Sequence, residues 1–258
     1  CGACAVANSR RLPTPKVTRR VETAPLELVY VDLSGEIRPA GPGSERYICM
    51  FTCGFTTYRW AYMIHLKSDA VTALSLFVNE AKALGLGVRR LRSDNGGEFI
   101  GHVFAQTCID NGIKQEFAPP YTPEFMGKAE RGWGVIGSPT RAFLAASDVE
   151  KRFWTEAFHC AVHLANRRGT KALPRGQTPY DALYGRLPST ADFRPFGSAA
   201  YLHLLPHQRP AGGKFTQRAV MGIMMGYCPN GTGWRIYVPA ARKVVTSSHI
   251  RFDEDVFP

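Results

Sequence analysis

Three carboxylates stand out because each belongs to a segment that the sequence predicts to be regular structure. Asp32 lies near the end of a strand-like run, Leu26–Leu33, and Asp94 directly follows another run, Val88–Ser93. Glu130 is separated from Asp94 by 35 residues. Carboxylates from separate elements can hold two divalent cations, which clamp the attacking and leaving oxygens of a phosphoryl transfer. Such a set of carboxylates is therefore compatible with metal-dependent chemistry on phosphate esters.

The elements that must position these carboxylates form an α/β pattern. Aromatic and β-branched residues, separated by turn signals, predict five strands at Leu26–Leu33, Arg46–Cys53, Tyr58–His65, Val88–Ser93 and Ile113–Phe117. Helical spacing predicts helices from Val71 to Leu84 and from Val103 to Asn111, ended by glycines. The first three strands follow one another directly, which favours a meander.

Seven segments in the same order along the chain carry a resemblance to one family. They are RSDNGGEF (92–99), APPYTP (118–123), GKAER (127–131), FWTEA (153–157), TPYDA (178–182), FG (196–197) and RFDE (251–254). These segments resemble the integrases in the Pol polyproteins of copia-type retrotransposons, whose catalytic core carries the D-D-E triad of retroviral integrases.

The resemblance implies both a fold and a site. The fold class is α/β: a ribonuclease-H-like core with a five-stranded mixed sheet flanked by helices, then a helical connector and a small C-terminal β-rich module. Asp32, Asp94 and Glu130 would be the catalytic residues and would hold Mg²⁺ or Mn²⁺ in a two-metal site. Glu98, four residues after Asp94, is an alternative third carboxylate, and we place it behind Glu130 because of the family spacing.

The same segments suggest contacts with nucleic acid. Asn95, Gly96 and Gly97 would let the backbone approach the substrate, and Lys128 and Arg131 would position phosphates. The partners implied are the element's DNA ends and target DNA, with a homo-oligomer as the active form. The family's location is intracellular, in the nucleus or in a virus-like particle.

The sequence departs from the family pattern around Glu130. Relatives usually have a glutamine and asparagine pair before Gly127, where this chain has Glu124, Phe125 and Met126. Beyond Arg131, the segment 132–139 contains three glycines and a proline, which together cost a helix roughly 6 kcal/mol. We therefore expect the helix carrying Glu130 to fray or kink soon after Arg131 and to resume near Thr140.

Composition and charge bound the remaining possibilities. The 258 residues carry a formal charge of +11, and no apolar run is long enough for a membrane span. Residues 1–130 contain 15 Lys and Arg against 13 Asp and Glu, whereas residues 131–258 contain 17 against 8. The second half is thus the basic one, as expected of a surface that faces phosphate. Basicity alone does not distinguish this from a generally basic, soluble protein.

The chain opens with a possible half of a zinc site. Cys1 and Cys4 form a C-x2-C pair, and copia-type integrases carry a His-His-Cys-Cys module upstream of the core. Zn²⁺ would bind only if two histidines precede Cys1, and we therefore expect no ordered zinc in this sequence. Because the sequence begins without a methionine, we expect it to be part of a longer chain. Two incidental cysteines remain the alternative.

Seven scattered cysteines indicate a reducing compartment. The basic segment 10–20 resembles a tether.

The second half divides into helices and then short strands. An amphipathic helix from Arg152 to Arg168 contains His159 and His163 four residues apart, which we interpret as structural because no third ligand accompanies them. A short helix capped by Thr178 follows. Strands are predicted at Ser198–Leu205, Arg218–Tyr227, Gly233–Tyr237 and Lys243–Ser247, closed by Phe252. Four basic residues there could face phosphate or simply be edge-strand charges: Arg218, Arg235, Arg242 and Lys243.

These observations predict four parts. Residues 1–22 end a zinc module and form a basic linker, 23–147 form the catalytic core, 148–190 a helical extension and 191–258 the β-rich module. The favoured function is metal-dependent processing of DNA 3′-ends and strand transfer, that is, a polynucleotidyl transferase. The alternatives are a catalytically decayed DNA-binding relic of an integrase and a ribonuclease-H-like nuclease that cleaves without joining.

Overall fold

The structure is a computed structural model that describes residues 22–119, 123–209, 215–229 and 231–258. Several sequence predictions fall outside these ranges and stay predictions. They concern the possible zinc ligands Cys1 and Cys4, the basic segment 10–20 and the capping role of Thr122.

A mixed five-stranded sheet forms the first part of the protein. Its strands are β1 (Val29–Leu33), β2 (Tyr47–Cys53), β3 (Arg59–Ile64), β4 (Arg90–Ser93) and β5 (Lys114–Phe117). They lie in the order β3-β2-β1-β4-β5, with β1 to β3 antiparallel and with β4 and β5 parallel to β1. This confirms the predicted meander and the strand order of the ribonuclease-H-like fold.

Helices cover both faces of this sheet. The structure contains α1 (Ala70–Ala83), α2 (Gly97–Ile100), α3 (His102–Asp110), α4 (Gly127–Ser147), α5 (Trp154–Arg167) and α6 (Pro179–Tyr184). The four predicted helices outside the Glu130 segment are confirmed, and the short α2 was not predicted. As expected, Thr178 caps α6 by accepting a hydrogen bond from the backbone N–H of Asp181 at 3.0 Å.

Alternation along β1 divides its side chains between two cores. Val29 and Val31 pack into a core with Leu74 and Phe77 of α1. On the opposite face, Tyr30 packs against the start of α4, in a cluster that contains Met126 and Ala129. Asp32 is the next residue on the Tyr30 side, so its carboxylate belongs to the face that α4 covers.

The prediction of a break after Arg131 is wrong. Helix α4 runs without interruption from Gly127 to Ser147 and contains Pro139. Its buried residues recur at helical spacing (Ala129, Gly132, Ile136 and Thr140), so one face of the helix packs on the sheet. Tertiary packing therefore offsets the unfavourable local propensity, which the sequence pattern alone could not reveal.

Gly132 is one reason why the helix can pack so closely. A Cβ at this position would lie 3.0 Å from Cε of Met50 and 3.2 Å from Nε of Arg59. Both neighbours are buried side chains of the sheet. The missing side chain thus lets α4 approach β2 and β3, and the glycine that weakens the isolated helix stabilises its contact with the sheet.

The C-terminal part is a separate antiparallel sheet of five strands, as predicted for a β-rich module. They are β6 (Ala199–His203), β7 (Ala219–Tyr227), β8 (Trp234–Val238), β9 (Lys243–Ser247) and β10 (Ile250–Asp253). Their order is β10-β6-β7-β8-β9. Ala200, Leu202, Met224 and Ile236 form the core of this module.

Helix α5 joins the two sheets. On one side Phe158 packs with Met50 of β2, and on the other Ala157 and Cys160 pack with Met225 of β7. Glu156, only 7% exposed, accepts two hydrogen bonds from the guanidinium of Arg235 on β8, at 2.6 and 2.5 Å. Arg235, predicted as a possible phosphate contact, therefore holds the module onto α5.

Alanine substitutions of two glycines in α4 test this account of the helix. A Cβ at Gly134 would meet no atom within 4 Å, so Gly134→Ala should raise the free energy of unfolding by about 0.5–1 kcal/mol. Gly132→Ala gains the same propensity but overpacks the contact with Met50 and Arg59, which costs about 1–3 kcal/mol. Urea unfolding should therefore rank Gly132→Ala below Gly134→Ala. Equal stabilisation by both substitutions would contradict the close approach.

A second pair of variants tests the link between the sheets. Arg235→Met leaves the buried Glu156 carboxylate without its partner and should lower the free energy of unfolding by about 2–3 kcal/mol, since the arginine is itself partly exposed. Arg242→Met alters an exposed residue of the same module and should change the free energy of unfolding by less than about 0.5 kcal/mol. Calorimetry that found equal effects for both variants would contradict a structural role for the ion pair.

Candidate active site

The register of two parallel strands brings Asp32 and Asp94 to the same edge of the first sheet. Val29 pairs with Leu91 and Tyr30 with Arg92, and the same register continued by two residues sets Asp32 opposite Asp94. The carboxyl ends of β1 and β4 thus meet at one edge, where ligands of open α/β sheets usually bind.

Backbone and side-chain hydrogen bonds shape the loop that carries Asp94. Oδ1 of Asp94 accepts the backbone N–H of Gly96 at 3.0 Å, and the Asn95 amide donates to the carbonyl of Ala118 at 3.0 Å. A Cβ on Gly96 would lie 3.0 Å from that same Asp94 oxygen, whereas Gly97 has open space around it. The loop is fixed to the end of β5, and the Asp94 side chain remains exposed.

Glu130 lies in the first turn of α4 and is exposed. Its neighbour Lys128 fixes that turn: Nζ donates to Oε2 of Glu22 at 2.9 Å and to the carbonyl of Gly54 at 2.6 Å. Arg131, by contrast, is exposed. Of the two predicted phosphate ligands on α4, Arg131 is the one whose side chain faces solvent, and both assignments stay predictions.

The Asp32 carboxylate is more withdrawn from water and is held on both oxygens. Oδ1 accepts the backbone N–H of Leu33 and Oδ2 accepts the indole N–H of Trp133, each at 2.9 Å. Burial raises the pKa of Asp32, these two hydrogen bonds oppose that rise, and the negative charges of Asp94 and Glu130 add to it. The net pKa of Asp32 is above the ordinary range, chiefly because of burial, and both other carboxylates lie close enough to act on its charge.

The donor set suits a hard divalent cation such as Mg²⁺ or Mn²⁺. All three side chains offer oxygen ligands, and none of the ion pairs found among the described residues involves Asp32, Asp94 or Glu130. Within those same ranges, no three His, Cys, Asp or Glu side chains are already gathered closely enough to hold a metal. The residues therefore fit the ion by the chemistry of their donor atoms.

Two other sequence candidates have different surroundings. Glu98, the alternative third carboxylate, lies 3.6 Å from Nζ of Lys67, which partly balances its charge. His163 stacks on Tyr227 at a ring distance of 4.1 Å, and burial together with the nearby Arg167 lowers its pKa to about 3. A neutral, packed imidazole agrees with the structural role predicted for it.

Trp133 is the residue that the sequence reasoning missed. In the sequence, the glycines and the proline after Glu130 bear on helix propensity alone, and nothing local marks the indole N–H as a donor to Asp32. The only signal is the position of Trp133 three residues after Glu130, which on a helix brings the two side chains to the same side.

Carboxyl titration tests the electrostatic coupling. Asp94→Asn removes one repelling charge, so it should lower the Asp32 pKa toward the ordinary range, as followed by the ¹³C shift of that carboxyl group. Because the folded state binds this proton more tightly than the unfolded state, stability declines as the pH rises through the raised pKa, and the variant should lessen that decline. Glu150→Gln, which alters an exposed carboxylate elsewhere in the chain, is the control and should leave the titration unchanged.

Comparison with known families agrees with the two sheets. The Integrase core domain profile matches residues 22–123, and the Retroviral polymerase SH3-like domain profile matches residues 198–258. Among the described residues, none of the helices combines the length and the hydrophobicity that a membrane span requires.

Curated relatives extend the likeness over the whole chain. The Retrovirus-related Pol polyprotein from transposon RE2 of Arabidopsis thaliana is 31% identical over 261 residues, and that from transposon RE1 of the same plant is 30% identical over 262. Each alignment covers 100% of this chain but only 17% of the relative. The chain thus spans about a sixth of the length of these polyproteins.

A solved structure shares the fold. A chain of the simian T-cell lymphotropic virus intasome, solved in complex with PP2A regulatory subunit B56 gamma, superposes with a TM-score of 0.57 at 15% identity, covering 98% of this chain and 87% of that one. The two domain matches and the likeness over the whole chain show an integrase core domain followed by a retroviral SH3-like domain, similar to the corresponding part of plant copia-type retrotransposon Pol polyproteins.

Proposed function

We propose that this chain is the catalytic part of a metal-dependent polynucleotidyl transferase that processes the 3′-ends of element DNA and joins them to target DNA. The observation that carries the proposal is the position of Asp32 and Asp94 at one sheet edge, with Glu130 close enough to act on the charge of Asp32. Asp94 and Glu130 both raise the pKa of a partly buried Asp32, and no cation of the described chain pairs with any of the three. A divalent cation is the natural counter-charge for such a group.

Each carboxylate would have a distinct part in holding the metals. Asp32 would be shared between two ions, Asp94 would complete the first site and Glu130 the second. Bound there, Mg²⁺ or Mn²⁺ would activate the attacking water or 3′-hydroxyl and stabilise the leaving oxygen. Asp32 is already fixed by its two donors, and the exposed Glu130 has room to change rotamer.

The surroundings suggest how DNA would be held. Arg131, beside Glu130, would contact phosphate, and the Asn95-Gly96-Gly97 loop would let a strand approach Asp94. Lys128 could do the same only by giving up its bonds to Glu22 and Gly54. The basic excess of residues 131–258 supports a second, wider contact with the DNA backbone.

Assembly and location follow from the family. The similar viral chain comes from an intasome. We propose that this chain likewise acts on the DNA ends as a homo-oligomer. Its expected place of action is the virus-like particle or the nucleus.

A second candidate is a DNA-binding relic without catalytic activity. The observation in its favour is that the described part of the chain does not bring three metal-binding side chains together in advance. Asp94 is also engaged with its own loop through the N–H of Gly96. In this case the basic surface would still bind DNA.

A disintegration assay on branched DNA separates these candidates. With Mg²⁺ or Mn²⁺, the wild-type chain should join strands, and Asp94→Asn and Glu130→Gln should each lower the rate by more than about 100-fold, since even a residue behind a metal ligand contributes 10–100-fold. Glu98→Gln is the matched control because Glu98 already pairs with Lys67, and it should retain most activity.

The outcomes point to different conclusions. DNA binding without product, from a chain shown to be folded, would favour the relic. Cleavage without joining would favour the ribonuclease-H-like nuclease. Loss of joining in Glu98→Gln but not in Glu130→Gln would transfer the third-carboxylate role to Glu98.

A further inference from the structure

The indole of Trp133 makes the one side-chain hydrogen bond that reaches Asp32 from the described part of the chain. Nε1 of Trp133 donates to Oδ2 of Asp32 at 2.9 Å, from a residue 101 positions away in the sequence. A hydrogen bond to a carboxylate is charge-assisted and roughly twice as strong as a neutral one. It therefore fixes the orientation of the acceptor as well as stabilising it.

Packing restricts the indole itself. Its ring lies 5.9 Å from the ring of Phe158, which is 4% exposed on α5. The preceding residue, Gly132, lies against Met50 and Arg59 of the sheet. The N–H is thus aimed by the contacts of α4 with α5 and with the sheet, and it does not depend on a freely rotating side chain.

The two donors to Asp32 set the plane of its carboxylate. Leu33 donates its backbone N–H to Oδ1 while Trp133 donates to Oδ2, so each oxygen uses one acceptor position within the protein. An ionised carboxylate has about four such positions on its two oxygens. One position on each oxygen is left for an external ligand.

We propose that Trp133 is a positioning residue that holds Asp32 in the orientation needed to bind a divalent cation. The inference rests on the proposed function, because it requires Asp32 to be a metal ligand. Trp133 lies one turn after Glu130 on α4, so the same bond also ties the helix bearing the third carboxylate to the strand bearing the first. A shift of α4 along the sheet would then disturb both ligands together.

Mn²⁺ binding to the full chain tests the proposal without any enzymatic activity. Electron paramagnetic resonance of the free ion gives the dissociation constant directly. Trp133→Phe removes the N–H and keeps an aromatic ring, and it should weaken Mn²⁺ binding by about 10–100-fold, as loss of a partner behind a metal ligand does. Trp154→Phe is the matched control, because the indole N–H of Trp154 donates to the carbonyl of Pro39 at 3.0 Å and not to Asp32, and it should leave the dissociation constant unchanged.

A second variant guards against misfolding of Trp133→Phe. Replacing Trp133 with 3-benzothienylalanine substitutes sulfur for the N–H in a ring of nearly the same shape. It should reproduce the loss of Mn²⁺ affinity with an unchanged unfolding temperature. Unweakened binding in this variant would overturn the proposal, whatever the fate of Trp133→Phe.

Asp32→Asn separates the failure of this inference from that of the proposed function. If Asp32→Asn binds Mn²⁺ as well as the wild-type chain, the proposed metal site is wrong and the role of Trp133 falls with it. If Asp32→Asn loses the ion while the Trp133 variants keep it, the site stands and only the positioning role is wrong. Loss of affinity in all three variants supports both.

Discussion

Asp32 carries its carboxylate at a position where burial disfavours a charge and raises the pKa, and the negative charges of Asp94 and Glu130 add to that rise. Hydrogen-bond donors of the surrounding residues hold these carboxylates in position. Two N–H groups, of Leu33 and Trp133, oppose the rise in the Asp32 pKa, and the N–H of Gly96 binds Asp94. Because these donors neutralise nothing, the negative charge remains for a cation to bind.

Helix α4 connects this electrostatic arrangement to the packing of the protein. Its first turn is fixed by Lys128 to Glu22 and to the carbonyl of Gly54, and its second turn approaches the sheet at Gly132. Glu130 and Trp133 lie close to these two anchors. Contacts beside its functional residues thus position the helix. A segment of poor helix propensity can therefore still hold Glu130 and Trp133 in fixed positions relative to β1.

What could be predicted from the sequence depends on how far apart the determining residues are. The strands of the first sheet, and the positions of Asp32 and Asp94 at the ends of two of them, follow from local alternation and turn signals. The continuity of α4 does not, since it depends on Gly132 meeting Met50 and Arg59, more than 70 residues earlier. The bond from Trp133 to Asp32 and the pairing of Arg235 with Glu156 are likewise long-range, and neither leaves a local pattern.

The pairing of Arg235 with Glu156 also changes how the basic second half should be interpreted. A surplus of positive residues predicts phosphate binding only if their charges face solvent. Arg235 is instead bound to a carboxylate that is buried on α5, so it joins the module to the core. Arg218, Arg242 and Lys243 are exposed, with Arg242 and Lys243 adjacent at the start of β9. Phosphate contact by this module is thus a proposal for the exposed Arg218, Arg242 and Lys243, whereas Arg235, together with the apolar packing of Met225 on α5, fixes the module to the core.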